Sequence, residues 1–229
     1  MSERARDGWY PGRRVDRLRA SRSYGFVLAL TILSILVAAW APDEPWAWSA
    51  FVLLQAITLA AAMWTSGLGR AGARFSVVVL AGAAALAVSQ MIWAGNGNGV
   101  AGIVNGILGI ATCVVIAVGV VDQRRINAQS VIGVVSIYLM LGLLFTFAYT
   151  ALALFGDGPF FAQGTDGTLG ERVYFSFVTL ATLGYGDLTP ASEGGRMLAV
   201  TEAISGQLYL VTVVAVVVGR LRPRSDDSA

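Results

Sequence analysis

Six long apolar stretches, separated by short polar segments, account for most of this 229-residue chain. They cover residues 24–41, 46–65, 75–94, 100–121, 130–155 and 196–219. A helix needs about 20 residues to cross the hydrocarbon core of a bilayer, and each stretch approaches or exceeds that length. The pattern therefore predicts six transmembrane helices.

A seventh segment, residues 171–182, is predicted to be helical but is too short to span a membrane. Its 12 residues would reach only about 18 Å as an α-helix. Since an unpaired backbone is not tolerated in lipid, such a segment must enter the membrane and return within protein. The predicted fold class is an all-α membrane protein with six transmembrane helices, a re-entrant helix and a loop after it.

Composition supports a membrane protein and argues against an enzyme. Hydrophobic residues make up 56% of the chain and charged residues 13%, whereas soluble domains carry about 25% charge; the mean hydropathy is +0.68. There is no histidine, and Cys113 is the only cysteine, so a common general base and a common metal ligand are missing. We expect no catalytic site and no organic cofactor.

The positions of the arginines predict the orientation. All 16 basic residues are arginine, and all but Arg172 and Arg196 fall on one side of the six stretches. The positive-inside rule makes that side cytoplasmic, with both termini inside a plasma (inner) membrane. These arginines are Arg4, Arg6, Arg13, Arg14, Arg17, Arg19, Arg22, Arg70, Arg74, Arg124, Arg125, Arg220, Arg222 and Arg224.

The basic arm, residues 1–23, has more than one interpretation. It sets topology, and it can also bind anionic lipid headgroups. An Arg-rich start, an apolar run and Ala39-Trp40-Ala41 are also compatible with a cleaved signal peptide. We favour an uncleaved first helix because the arm is long and the apolar run approaches spanning length.

The short segment leads into Thr182-Leu183-Gly184-Tyr185-Gly186-Asp187, and an apolar helix follows from about Arg196. This loop differs by one conservative residue from the TVGYG loop that lines potassium-channel filters. Residues 126–221 therefore resemble the pore of the tetrameric potassium channels: outer helix, pore helix, selectivity filter and inner helix. The resemblance covers a little under half of the chain.

The resemblance implies that dehydrated K⁺ is coordinated by the backbone carbonyls of Thr182, Leu183, Gly184 and Tyr185, with the Thr182 hydroxyl completing the innermost site. Aligning those carbonyls needs backbone angles that glycine tolerates best, as at Gly184 and Gly186. Leu183 replaces the usual Val or Ile, a change expected to affect packing more than ligation. Each chain supplies one copy of the loop, so the resemblance implies a homotetramer.

Several residues are candidates for supporting the filter. Tyr174 and Phe175 are expected to pack around it, although both could instead belong to an aromatic belt at the membrane interface. Thr179 could hydrogen-bond near the base of the filter or be an ordinary helix threonine. The C-terminal end of the pore helix, residues 171–182, would place partial negative charge towards the central cavity.

The last helix carries further candidates. Glu202 lies inside it, where an unpaired charge costs about 3 kcal/mol; it either braces the filter through hydrogen bonds, which we favour, or faces the water-filled cavity. Gly206 is a candidate gating hinge, or a small residue that permits close packing. Leu210, Val214 and Val218 share a helical face that lines the inner vestibule as a gate or meets lipid.

Residues 24–125 form a four-helix transmembrane domain whose topology resembles the voltage-sensor half of six-helix channels. Its fourth helix, Val100 to Val121, contains no charge, whereas a voltage sensor needs several arginines there. We expect no conventional voltage gating. The domain could be a scaffold, a lipid-facing collar or another sensor, and the gating stimulus stays open; residues 222–229 form a short cytoplasmic tail.

The predicted function is selective K⁺ conduction, with K⁺ as the permeant ligand and no nucleic-acid partner. A less selective cation channel and a non-conducting regulatory membrane subunit remain alternatives. Acidic residues on the outer side would raise the local cation concentration, or form an ordinary solvated face. They are Asp43, Glu44, Asp157, Asp166, Glu171, Asp187 and Glu193.

Overall fold

The computed structural model of the chain describes residues 24–40, 42, 44–66, 69–92, 97–121, 128–216 and 219. Within these residues it is helical, with isolated β-bridges and no strand. The helices are α1 (Tyr24–Trp40), α2 (Pro45–Ser66), α3 (Gly69–Ile92), α4 (Gly97–Val121), α5 (Ala128–Phe155), α6 (Leu169–Leu180) and α7 (Glu193–Tyr209). A π-helical turn, Leu210–Val214, continues α7. The prediction of an all-helical fold is confirmed.

Each apolar stretch of the sequence coincides with a helix, and the short segment becomes α6. Within the part of the chain that the structure describes, four helices have the length and apolar composition needed to cross a membrane, α2 to α5. Helix α1 is apolar but has 17 residues, and α7, also 17 residues long, starts with Glu193 and contains Glu202. Spanning by α1 and α7 therefore stays a prediction.

The N-terminal helices and α5 share one hydrophobic core. Helix α2 packs against α1, α3 and α4, while α1 and α4 also pack against α5 of the same chain. Phe51 of α2 contacts Phe147 of α5, with ring centroids 5.4 Å apart. Leu108 of α4 and Met140 of α5 belong to the same buried cluster. The first four helices thus pack, directly or through one another, on α5 of the same chain.

Helix α6 contacts the N-terminal helices as well as its own module. A Cβ at Gly170 would lie 2.8 Å from the Ala39 carbonyl oxygen, so the backbones of α6 and α1 meet almost directly. Leu169 and Val173 of α6 join the cluster that contains Trp48 of α2. Because a side chain at position 170 would force these backbones apart, glycine is required there.

Candidate functional site

The start of α6 is fixed by local hydrogen bonds. The Glu171 amide donates to Thr168 Oγ1 at 3.1 Å, and the Thr168 amide donates to Glu171 Oε2 at 2.7 Å, which makes a capping box. The Arg172 guanidinium is almost fully buried and donates through Nη1 to the carbonyls of Asp166 and Gly167, at 2.9 and 2.7 Å. Helix α6 therefore begins at Leu169, two residues before the predicted start.

The end of α6 leads directly into the predicted filter. The Thr182 amide donates to the Thr179 carbonyl and the Leu183 amide to the Val178 carbonyl, both at 2.9 Å. These bonds close the last turn of the helix while the chain turns away from its axis. The carbonyl of Thr179 thus accepts a hydrogen bond at the base of the loop, and a role for its side chain there stays a prediction.

Every second residue of the loop has a left-handed backbone conformation. The φ angles are +56° at Thr182, +60° at Gly184 and +78° at Gly186, and among the described residues Thr182 is the only non-glycine with positive φ. An ordinary strand points successive carbonyls in opposite directions. Left-handed residues at every second position would reverse alternate peptide planes and so bring successive carbonyls to the same side. The two glycines lie where this geometry requires them.

The loop is exposed in the single chain. Leu183 is 57% exposed and Tyr185 67%, and a Cβ at Gly184 or Gly186 would meet nothing within 4 Å. More than half of Leu183 is therefore left uncovered by its own chain. A segment with this geometry is available to contact other copies of the chain.

Tyr174 holds the outer end of the loop. Its hydroxyl donates to Asp187 Oδ2 at 2.8 Å, and its ring stacks on that of Tyr185, with centroids 6.4 Å apart and an interplanar angle of 12°. The hydrogen bond to Asp187 raises the pKa of Tyr174 above its ordinary value. These contacts support the predicted role of Tyr174 beside the filter.

Phe175 lies on the opposite, buried side of α6. Its ring packs edge-on against those of Tyr149 and Phe161, at centroid distances of 5.0 and 5.5 Å, and Phe160 completes the group. This aromatic cluster joins α5, α6 and the loop between them. Its burial in this cluster supports the packing interpretation of Phe175 over an interfacial belt, and a role in supporting the filter stays a prediction.

Glu202 is fully buried and joins three helices. Its Oε2 accepts a hydrogen bond from the Tyr149 hydroxyl of α5, and its Oε1 lies beside the Ser176 hydroxyl of α6, both at 2.5 Å. Ser176 Oγ is also 2.7 Å from the Gly142 carbonyl oxygen. The contacts support the bracing interpretation of Glu202. Tyr149 and Ser176 were not identified from the sequence, which holds no signal that these positions meet.

The remaining candidates of α7 have separate surroundings. A Cβ at Gly206 would lie 2.6 Å from the Leu180 carbonyl oxygen, which supports the close-packing interpretation of this glycine. Leu210 opens the π-helical turn and is exposed. The side chain of Val214 and all of Val218 lie outside the described residues, so the predicted gate stays a prediction.

Part of the outer acidic group has structural roles. Asp166 Oδ1 accepts a hydrogen bond from the Phe160 amide at 2.9 Å, and Glu171 caps α6. Asp187 is bound by Tyr174, whereas Asp43 lies outside the described residues. The carboxylates nearest the loop therefore shape its surroundings in addition to contributing charge.

Known proteins resemble the C-terminal part of the chain, which contains α6, the loop after it and α7. Residues 137–222 match a family model described as "Ion channel". Among curated proteins, human potassium voltage-gated channel subfamily A members 6 and 4 are each 32% identical over 83 residues, which is 34% of this chain. Member 5 from Oryctolagus cuniculus is 35% identical over the same length.

The chain covers only a small part of these relatives, namely 16%, 13% and 14% of the lengths of members 6, 4 and 5. No solved structure matches the chain significantly. The family match and the relatives point to a channel protein that is not an enzyme.

Proposed function

We propose that the protein is a potassium channel in which four copies of Thr182–Asp187 surround one conduction pathway. The observation that carries this proposal is the positive φ at every second residue, Thr182, Gly184 and Gly186, because such a backbone would turn the intervening carbonyls to one side. The ion-channel family match over residues 137–222 and the names of the potassium-channel relatives support it.

The mechanism is exchange of water for backbone oxygen. K⁺ enters a narrow filter only if other ligands replace its hydration shell, and rings of carbonyl dipoles do so. The carbonyls of Thr182, Leu183, Gly184 and Tyr185 would form successive rings, and the Thr182 hydroxyl would add the innermost ligand. The C-terminal end of each α6, with its partial negative charge, favours a cation at the inner entrance.

Assembly as a homotetramer follows from the need for complete rings. Helix α7 carries exposed apolar side chains at a spacing of three and four residues, which places them on one face: Met197, Val200, Ile204 and Leu208. Leu183 of the loop is exposed as well. Identical contacts repeated head to tail close such a surface into a ring around one axis.

We also propose that gating is not driven by voltage in the conventional way, although the relatives carry "voltage-gated" in their names. Helix α4 contains no charged residue along Gly97–Val121, so it has no gating charge to move. The orientation with both termini cytoplasmic and a plasma-membrane location complete the proposal. The Arg-rich residues 1–23, outside the described part, would bind anionic headgroups.

The direct test is ion flux from purified protein in liposomes, followed by reversal potentials in mixed K⁺ and Na⁺. Selective K⁺ current is the expected result. Equal K⁺ and Na⁺ permeability would instead establish the less selective cation channel. Absence of any flux from a well-folded tetramer would overturn conduction and support a regulatory subunit.

A further inference from the structure

A short hairpin before α6 lies beside the segment that follows the filter. Phe161 forms bridges with Thr165 and with Pro190. The Ala162 amide donates to the Thr189 carbonyl, and the Ala191 amide donates to the Phe160 carbonyl, both at 2.8 Å. These bonds secure residues 189–191. The chain then turns at residues 162–164, so the backbone hydrogen bonds between the hairpin and the segment after the filter end at Thr189.

The side chain of Gln163 continues this pairing to Asp187. Its Nε2 donates to the Asp187 carbonyl oxygen at 2.8 Å. Its Oε1 accepts from the Thr189 amide at 3.4 Å, a longer and weaker contact. A carboxamide has both a donor and an acceptor, as a peptide group does, whereas a carboxylate lacks the donor and an ammonium the acceptor. The Gln163 amide thus acts as an additional peptide unit of the hairpin.

Asp187 is consequently held from two sides. Gln163 binds its main-chain carbonyl, and Tyr174 binds its carboxylate at 2.8 Å. The preceding residue, Gly186, has φ of +78° and no side chain to restrict its backbone. Restraint at Asp187 therefore limits how far the peptide units at Gly186 can rotate.

The hairpin is a firm base for this contact. Phe160 and Phe161 are buried in the aromatic cluster behind α6, and the Phe160 amide is bound by Asp166. Gln163 itself is exposed, and its contacts hold the exposed end of the loop to a buried core. This arrangement differs from Tyr174, which connects the same residue to α6.

We propose that Gln163 is a positioning residue for the outer end of the conduction pathway, acting through Asp187 and Thr189. This inference rests on the proposed potassium-channel function. Without the donor to the Asp187 carbonyl, the last peptide units of the loop rotate more easily. The carbonyls of the outermost ring then turn away from the conduction pathway more often. K⁺ bound at that ring opposes the change, because it holds the carbonyls in place.

The test compares Gln163→Met and Gln163→Glu in the purified full-length protein. Methionine keeps the length of the side chain but removes both hydrogen bonds. Glutamate keeps an acceptor for the Thr189 amide but cannot donate to the Asp187 carbonyl. Ala162→Ser, an exposed and neutral substitution in the same turn that keeps the backbone hydrogen bond of residue 162, is the control.

In planar bilayers both Gln163 variants are expected to shorten the mean conducting time about three- to tenfold, the effect of losing one hydrogen bond. Raised external K⁺ should restore it, and Ala162→Ser should match the wild type. If the substitutions only destabilised the fold, tetramer stability would fall and the conducting time would not recover with external K⁺; that result would contradict the positioning role. Unchanged conducting times in both Gln163 variants, beside a conducting wild type, would refute the positioning role alone.

Hydrogen exchange supplies a readout that does not need conduction. Gln163→Met should speed exchange of the Thr189 amide about three- to tenfold. The Ala191 amide, bonded to the Phe160 carbonyl in the same segment, serves as an internal reference and should not change. Equal rates at Thr189 in wild type and variant would contradict the inference, whereas a wild type without K⁺ flux would contradict the proposed function.

Discussion

Thr182 has a strained, left-handed backbone conformation, and the surrounding hydrogen bonds hold that conformation in place. A β-branched residue at positive φ costs about 1–3 kcal/mol, and the bonds from the Thr182 and Leu183 amides to the end of α6 offset that cost. Threonine nevertheless offers a hydroxyl that glycine lacks, so the strain is consistent with a ligand at this position. No sequence rule marks Thr182 as left-handed, whereas Gly184 and Gly186 are recognisable from the motif.

Alanine at Gly186 should impair conduction far more than alanine at Gly194. Gly186 has φ of +78°, where an alanine costs about 1–2 kcal/mol. Gly194 lies in the first turn of α7 with open space around its Cβ position, so Gly194→Ala should be neutral or slightly stabilising. The K⁺/Na⁺ permeability ratio checks this: it should fall for Gly186→Ala only. Equal ratios in the two variants would show that the backbone angle is unimportant.

Glutamine at position 202 should be tolerated better than leucine. Ser176 has one hydroxyl proton but lies within hydrogen-bond distance of two oxygens, Glu202 Oε1 and the Gly142 carbonyl. A glutamine at position 202 could donate from its amide nitrogen to Ser176 Oγ, which leaves the Ser176 proton for the Gly142 carbonyl. Its amide oxygen would still accept from the Tyr149 hydroxyl. Leucine would leave the buried Tyr149 hydroxyl without this partner, at about 1–3 kcal/mol, whereas Ser176 could still donate to the Gly142 carbonyl.

Thermal unfolding of the purified tetramer measures the difference at position 202. Glu202→Gln should melt close to wild type, and Glu202→Leu well below it. If Glu202→Leu kept full stability and changed only rectification or block, the cavity-facing alternative would be correct instead.

At the scale of elements, the π-helical turn in the last helix is the main departure from a regular pattern. Residues 196–219 were predicted as one continuous helix, and the sequence there contains no proline to indicate a break. In the structure the helix changes register at Leu210–Val214, directly after Tyr209, whose hydroxyl donates to the Val134 carbonyl at 2.7 Å. A π-helical turn inserts an extra residue and often lies at a functional position.

Gly206→Ala separates the two interpretations of that glycine. The alanine Cβ would lie 2.6 Å from the Leu180 carbonyl oxygen and 2.8 Å from Leu180 Cδ1. Close packing therefore predicts a loss of about 1–3 kcal/mol in the free energy of unfolding. Denaturant or thermal unfolding measures that loss. A stable variant with altered open probability would support the hinge.

The start of α6 could be predicted from the local sequence, whereas the tertiary contacts of Glu202 could not. Thr168 and Glu171 have the spacing of a capping box, so the start at Leu169 was available from local pattern. The contacts of Glu202 with Tyr149 and Ser176 were not available from local pattern. These residues are separated from Glu202 by 53 and 26 positions in the sequence and meet it only through tertiary packing. Gln163 has no distinguishing pattern either.

At the scale of the whole molecule, the predictable part is the order and extent of the helices. The length of each apolar stretch determined it, since a helix must cross a bilayer of fixed thickness. The way in which α1 and α4 rest on α5 of the same chain depends on small residues and side-chain shape along both surfaces. One such position is Gly102, where a Cβ would lie 3.3 Å from Thr150 Cγ2.

The open probability should change little with membrane potential. Each elementary charge that crosses the field contributes about 2.3 kcal/mol per 100 mV, and α4 carries none. Single-channel recording with voltage stepped at constant pH is the measurement, with pH stepped separately at constant voltage. A steep, sigmoidal dependence on voltage would show that charges elsewhere in the chain move.

The near-contact between Gly170 and Ala39 bears on how such a protein can be divided or recombined. Leu169 and Val173 are buried against the first two helices, so a pore module cut out at residue 126 would present them to lipid or detergent. A chimera that replaced residues 1–125 would succeed only if the new first helix brought an equally small residue opposite position 170. The two parts of this chain are therefore expected to have been inherited together rather than exchanged as independent units.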